Sequence, residues 1–209
     1  MDDKKNIYLR LSAILGSFTP IILFLGIFIS IYFSSDFSWT KNFLSELAGS
    51  EGKTPIYSAR GFSSLIFNIS FILAGIFGTI FSLGLIKSKI IANCLCGEGS
   101  FFLILNMLFL TLVGIFPLTV GFLHILVSYG FFLSVPIFLL IIGYNLRKTK
   151  EKKLGLTAFV LGIITVFSFA FFPLASPWGQ NAIVEMIIIV SISIFIIIFS
   201  LKLLIQSFN

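Results

Sequence analysis

Asn181–Gln206, NAIVEMIIIVSISIFIIIFSLKLLIQ, is a continuous apolar run with two charged residues, Glu185 near its start and Lys202 near its end. A helix needs about 20 apolar residues to cross the hydrocarbon core of a bilayer, and this stretch meets that length. Its isoleucines and phenylalanines lack the alternation of a membrane barrel strand. Working back from it, five more runs of the same kind appear, at 11–33, 62–86, 100–116, 120–146 and 154–174. Together they fill most of the 209 residues, which are 58% hydrophobic and 11% charged with a mean hydropathy of +1.12. A soluble domain is usually about a quarter charged. The expectation is an all-α integral membrane protein, a single transmembrane domain over residues 1–209 built as a six-helix bundle, with no room for a soluble domain.

The net charge of +6 would suit a nucleic-acid partner, but the placement of the charge argues against one. On a six-span path Lys4, Lys5, Arg10, Lys87, Lys89, Arg147, Lys148, Lys150, Lys152, Lys153 and Lys202 share one side; Lys41, Lys53 and Arg60 lie on the other. By the positive-inside rule both termini are then cytoplasmic and the protein sits in the cell membrane. The densest cluster, Arg147–Lys153 (RKTKEKK), reads first as a topology signal and second as a site for anionic lipid head groups. The first run follows a basic N-terminus but exceeds a signal h-region and has no Ala-x-Ala site, so it reads as an uncleaved anchor. Cys94 and Cys96 fall on the cytoplasmic side, without a nearby histidine for zinc and in a compartment unfavourable to a disulfide. No metal or cofactor is expected.

The outer connection Ser34–Gly61 is long for a compact bundle, and such loops tend to be functional or structured. Ser38 is a candidate cap for a short helix ending at Gly49, with Trp39, Phe43 and Leu47 forming an apolar stripe at spacing four. That is the pattern of an amphipathic helix lying in the interface. On it Glu46 and Asn42 border the buried face. Trp39 and Trp178 fit an aromatic belt. Glycines at 75, 78, 84, 114 and 162 are candidates for close helix approach, and Pro20 and Pro136 are places where a helix can kink or break.

Ionisable residues inside spans are costly and suggest function by default. His124, the sole histidine, lies roughly 6 Å below the outer end of its span at 1.5 Å per residue, and Glu185 lies at about the same depth. Asn68 enters from the same side with Ser64 one turn above it, and Ser128 shares the face of His124. Glu46 and Arg60 reach this level from the loop. Each has a bland alternative: a hydrogen-bonded core histidine, a Glu185 reaching for the head groups, a solvated Glu46, an Arg60 anchoring its helix. Their shared depth favours a polar pocket near the outer leaflet, in which an acid–imidazole pair would bind a polar group, move a proton or act as general acid and base.

Ser45-Glu46-Leu47 before the second span, Phe67-Asn68 within it, Gly114-Ile115-Phe116-Pro117 followed by His124, and Glu185 in the last span resemble the archaeal and bacterial membrane family catalogued as domain of unknown function 998. The resemblance covers roughly residues 10–205. It implies a six-span helical protein in a prokaryotic cell membrane and no established activity, and it marks Glu46, Asn68, His124 and Glu185 as the positions to test first.

Three functions stay open. One is binding or transport of a lipid head group or small polar solute, although the apolar inner half offers no evident route for a charged solute. Another is an intramembrane enzyme on a lipid or isoprenoid, with His124 and Glu185 or Glu46 as acid and base. The third is an accessory subunit of a membrane complex, or a homo-oligomer. Membrane lipids are the expected partners in all three.

Overall fold

The computed structural model describes residues 2–49, 59–87, 98–175 and 182–208. Within them the chain is helical: α1 (Asp2–Tyr32), α2 (Ala59–Lys87), α3 (Glu98–Ile115), α4 (Phe122–Arg147), α5 (Lys152–Ala175) and α6 (Ala182–Gln206). Two short 3₁₀ turns, Leu44–Ala48 and Leu118–Val120, precede α2 and α4. No β-strand occurs among the described residues. Five helical stretches are long and apolar enough to cross a membrane, namely Ile7–Tyr32, Gly61–Lys87, Phe122–Arg147, Lys152–Ala170 and Ala182–Gln206; Phe101–Ile115 is apolar but shorter. The protein is a membrane-embedded helical one. Cys94, Cys96 and Trp178 lie outside the described residues.

Each helix packs against the next in sequence, and α6 closes on α1. α6 also touches α2 and α4, so it lies deepest: 61% of its apolar window is buried, against 22% for α5. Its inner face carries Phe195 and Phe199, stacked at 4.3 Å, and Phe195 meets Phe138 of α4 edge to face at 4.8 Å. Two glycines allow α2 and α3 to touch backbone to backbone. A Cβ on Gly75 would lie 2.6 Å from the Thr111 nitrogen, and one on Gly114 2.6 Å from the Asn68 carbonyl.

In hydrocarbon every polar group needs an internal partner. Hydroxyls inside these helices bond back one turn, as in Ser17 to Ala13, Thr19 to Leu15, Thr79 to Gly75 and Thr111 to Met107. Pro20 and Pro136 interrupt nothing: α1 and α4 run through them. At one end of the bundle Arg10 donates to the Ser207 carbonyl and lies over the Phe208 ring, so the start of α1 meets the end of α6. Lys202 pairs with Glu151 at 2.5 Å at that same end. The Leu44–Ala48 turn and the starts of α2, α4 and α6 mark the opposite end.

The segment after α1 differs from the amphipathic helix expected from Ser38 to Gly49. Residues 38–42 form a turn, and helix begins only at Leu44, as a single 3₁₀ segment closed by Gly49 at φ +116°. Local side-chain acceptors explain the difference. Asn42 Oδ1 takes the Ser38 N–H at 2.8 Å and Glu46 Oε1 takes the Phe43 N–H at 3.0 Å, in competition with an α-helical ladder. At three residues per turn the aligned apolar pair is Leu44 and Leu47, both buried, instead of Phe43 and Leu47.

Candidate polar cavity between α4, α5 and α6

His124 is the third residue of α4 and only 2% exposed. Its position follows from the way α3 ends. Pro117 cannot continue a helix, so the last carbonyls of α3 lack intrahelical donors. The Phe116 carbonyl lies 2.7 Å from His124 Nδ1. A carbonyl only accepts, so Nδ1 carries the proton; in a neutral imidazole Nε2 is then the acceptor. Ser128, one turn along the same helix face, places its hydroxyl 3.1 Å from Nε2. The result is a relay from Ser128 through the imidazole to the Phe116 carbonyl.

Glu185 stands in the first turn of α6, 6% exposed, and its Oε2 accepts the Leu44 N–H at 2.5 Å. The 3₁₀ turn is thereby joined to α6 at one end. At the other end the Ala48 carbonyl accepts from Ser64 and, at 3.4 Å, from Asn68 Nδ2, which joins it to α2. Asn68 also donates to Ser64 at 3.4 Å, while its Oδ1 is buried without a partner among the described residues.

Between these groups lies a cavity of about 240 Å³, bordered by the 3₁₀ turn, α4, α5 and α6. Ser45, His124, Ser128 and Glu185 supply its polar wall; the aromatic Phe43, Tyr129, Phe132 and Phe169 and the aliphatic Leu118, Ile125, Val184 and Ile188 supply the rest. A smaller space of about 20 Å³ extends from it toward Phe67 and Phe71 and shares Ser45, Ser128, Phe132 and Glu185.

The structure brings together His124, Ser128 and Glu185 among the residues expected in a pocket. The direct acid–imidazole pair is not formed: both ring nitrogens are engaged by Phe116 and Ser128, and Glu185 is engaged by Leu44. Glu46 and Asn42 do not line the cavity. Glu46 Oε2 instead accepts from Asn42 Nδ2 at 2.7 Å, within their own loop. Asn68 lies on the far side of the 3₁₀ turn, and the side chain of Arg60 lies outside the described residues. Ser45 and the Phe116 carbonyl were not anticipated. The only signals were the adjacency of Ser45 to Glu46 and of Phe116 to Pro117.

A family model described as a protein of unknown function, DUF998, matches residues 18–202. The chain belongs to this DUF998 family. That match takes in every residue of the cavity wall, from Phe43 to Ile188. None of the curated proteins and none of the solved structures matches the chain.

Proposed function

We propose that this DUF998 protein is a six-span membrane protein, with both termini on the cytoplasmic side, that binds a lipid head group in the cavity between α4, α5 and α6. The single observation behind this reading is that Glu185, His124 and Ser128 converge on one otherwise apolar cavity. Polar side chains at membrane depth are expensive, and a ligand that engages them offsets the cost. A lipid is favoured over a dissolved solute by the flank on which the cavity lies. Ile125 and Tyr129 line it and are 49% and 53% exposed, on the side of α4 that faces the bilayer. Six spans are supported by α3 itself: its 18 residues extend about 27 Å, close to the hydrocarbon thickness. The basic end of the bundle supports cytoplasmic termini.

The test is lipid retention. The purified chain, His124→Gln and Glu185→Gln are extracted and their bound lipid quantified. Folded variants that lose bound lipid support the reading; identical lipid content in all three overturns it.

A second reading, chemistry on a bound lipid, has its own observation in the Ser128–His124–Phe116 relay. A serine hydroxyl bonded to an imidazole whose other nitrogen is fixed by an acceptor is the arrangement of an activated nucleophile. Covalent labelling of Ser128 by a fluorophosphonate, abolished in Ser128→Ala and reduced in His124→Gln, supports that reading. Absence of label on the folded parent overturns it.

A further inference from the structure

The cavity wall has a chemical bias that narrows the ligand. Its one carboxylic acid among the described lining residues is Glu185, and none of those residues is Lys or Arg. A buried carboxylate requires a compensating positive charge, strong hydrogen bonds, or a proton. Glu185 has one strong bond, from the Leu44 N–H, and a carboxylate accepts about four. The same cavity is lined by four aromatic rings, Phe43, Tyr129, Phe132 and Phe169, and by four aliphatic side chains. Tyr129 and Phe169 meet edge to face, with centroids 6.1 Å apart and planes at 86°, and tie the α4 wall to the α5 wall. Aromatic rings around a carboxylate recognise ammonium groups, because the ring faces attract cations and the acid neutralises them. An anionic group would meet the Glu185 carboxylate with no cation among the described lining residues.

Size agrees with this chemistry. A cavity of about 240 Å³ lies below the roughly 300–1,000 Å³ of sites for drug-sized molecules, and corresponds to the liquid volume of about eight waters. It suits one compact head-group fragment, with the remainder of the molecule outside.

Resting on the head-group reading above, we infer that the ligand presents a primary or quaternary ammonium, seated against Glu185 within these aromatic walls. Ser128 and Ser45 then face the neutral part of the head group.

The experiment is competitive retention by native mass spectrometry of the full chain. Phosphatidylethanolamine, phosphatidylcholine and phosphatidylglycerol of equal acyl chains are supplied in equal amounts. The parent is expected to retain the two ammonium lipids at least about tenfold over phosphatidylglycerol, and Glu185→Gln to lose that preference. Glutamine keeps an acceptor for the Leu44 N–H, so the variant removes charge while preserving the join. Phe169→Leu, which leaves Glu185 untouched, is expected to lower retention of phosphatidylcholine more than that of phosphatidylethanolamine.

A separate arm adds choline or ethanolamine to the detergent-purified parent and follows thermal unfolding. Stabilisation by the free amines, absent in Glu185→Gln, upholds the ammonium site and assigns it to a soluble ligand. Lipid retained without preference for ammonium, or a preference that survives in Glu185→Gln, overturns the inference and leaves head-group binding standing. Retention of no lipid, with no response to free amines, overturns both.

Discussion

The backbone N–H of Leu44 donates to the Glu185 carboxylate at 2.5 Å, joining the short 3₁₀ turn after α1 to the first turn of the last helix. Both partners are buried, with Leu44 2% and Glu185 6% exposed. Removing the acceptor would leave a buried amide unpaired, at a cost of about 1–3 kcal/mol. Glu185→Leu is therefore expected to destabilise the chain by that amount, while Glu185→Gln, which still accepts, stays within about 1 kcal/mol of the parent. Thermal or denaturant unfolding in detergent measures both. Equal loss in the two variants would show that charge, not the join to Leu44, is what matters there.

The Ser128–His124–Phe116 relay predicts an order of effects. Ser128→Ala removes one hydrogen bond at the ring and is expected to cost about 0.5–1.5 kcal/mol. His124→Leu removes the ring and leaves the Phe116 carbonyl and the Ser128 hydroxyl to find other partners, at about 1–3 kcal/mol. If unfolding experiments rank Ser128→Ala as the more damaging, the imidazole is not what holds the α3–α4 hairpin.

The helical path was legible because apolar run length is a direct consequence of bilayer thickness, which no tertiary contact overrides. The same count put His124 and Glu185 near the starts of their helices, where α4 and α6 hold them. What could not be read was direction. Residues 38–49 have helical spacing in Trp39, Phe43 and Leu47, yet Asn42 and Glu46 divert backbone donors into a turn, and a pattern of apolar positions does not register such competition. Likewise the depth of His124 says nothing of which acceptor claims its ring. That was decided by Pro117, which ends α3 and leaves a carbonyl within reach. Ser45, which lines the cavity, lies in that 3₁₀ turn between the buried Leu44 and Leu47.

Contact between α2 and α3 depends on two glycines. A methyl at Gly114 would sit 2.6 Å from the Asn68 carbonyl and 2.9 Å from the Ile72 nitrogen, both backbone atoms that no rotamer change can move. Gly114→Ala is expected to cost about 1–3 kcal/mol by forcing the helices apart. Because Asn68 also bonds to the Ala48 carbonyl, the shift should reach the 3₁₀ turn and expose its backbone to hydrogen exchange. Unchanged stability and unchanged exchange in residues 44–48 would show that α2 and α3 are less tightly apposed than this geometry requires.

The proposed orientation is open to a chemical test, since the chain has only two cysteines, Cys94 and Cys96, in the connection between α2 and α3. The bias of Lys and Arg toward that side assigns the connection to the cytoplasm. A membrane-impermeant maleimide should then label the parent only after cells are permeabilised. Lys53→Cys, made in a Cys94→Ser, Cys96→Ser background, should be labelled in intact cells, because the connection between α1 and α2 falls on the opposite side. Labelling of Cys94 and Cys96 in intact cells would reverse the orientation and place the Glu185 cavity at the cytoplasmic leaflet. Labelling of both connections from the same side would instead mean that α2 does not cross the membrane, and the six-span path would fail.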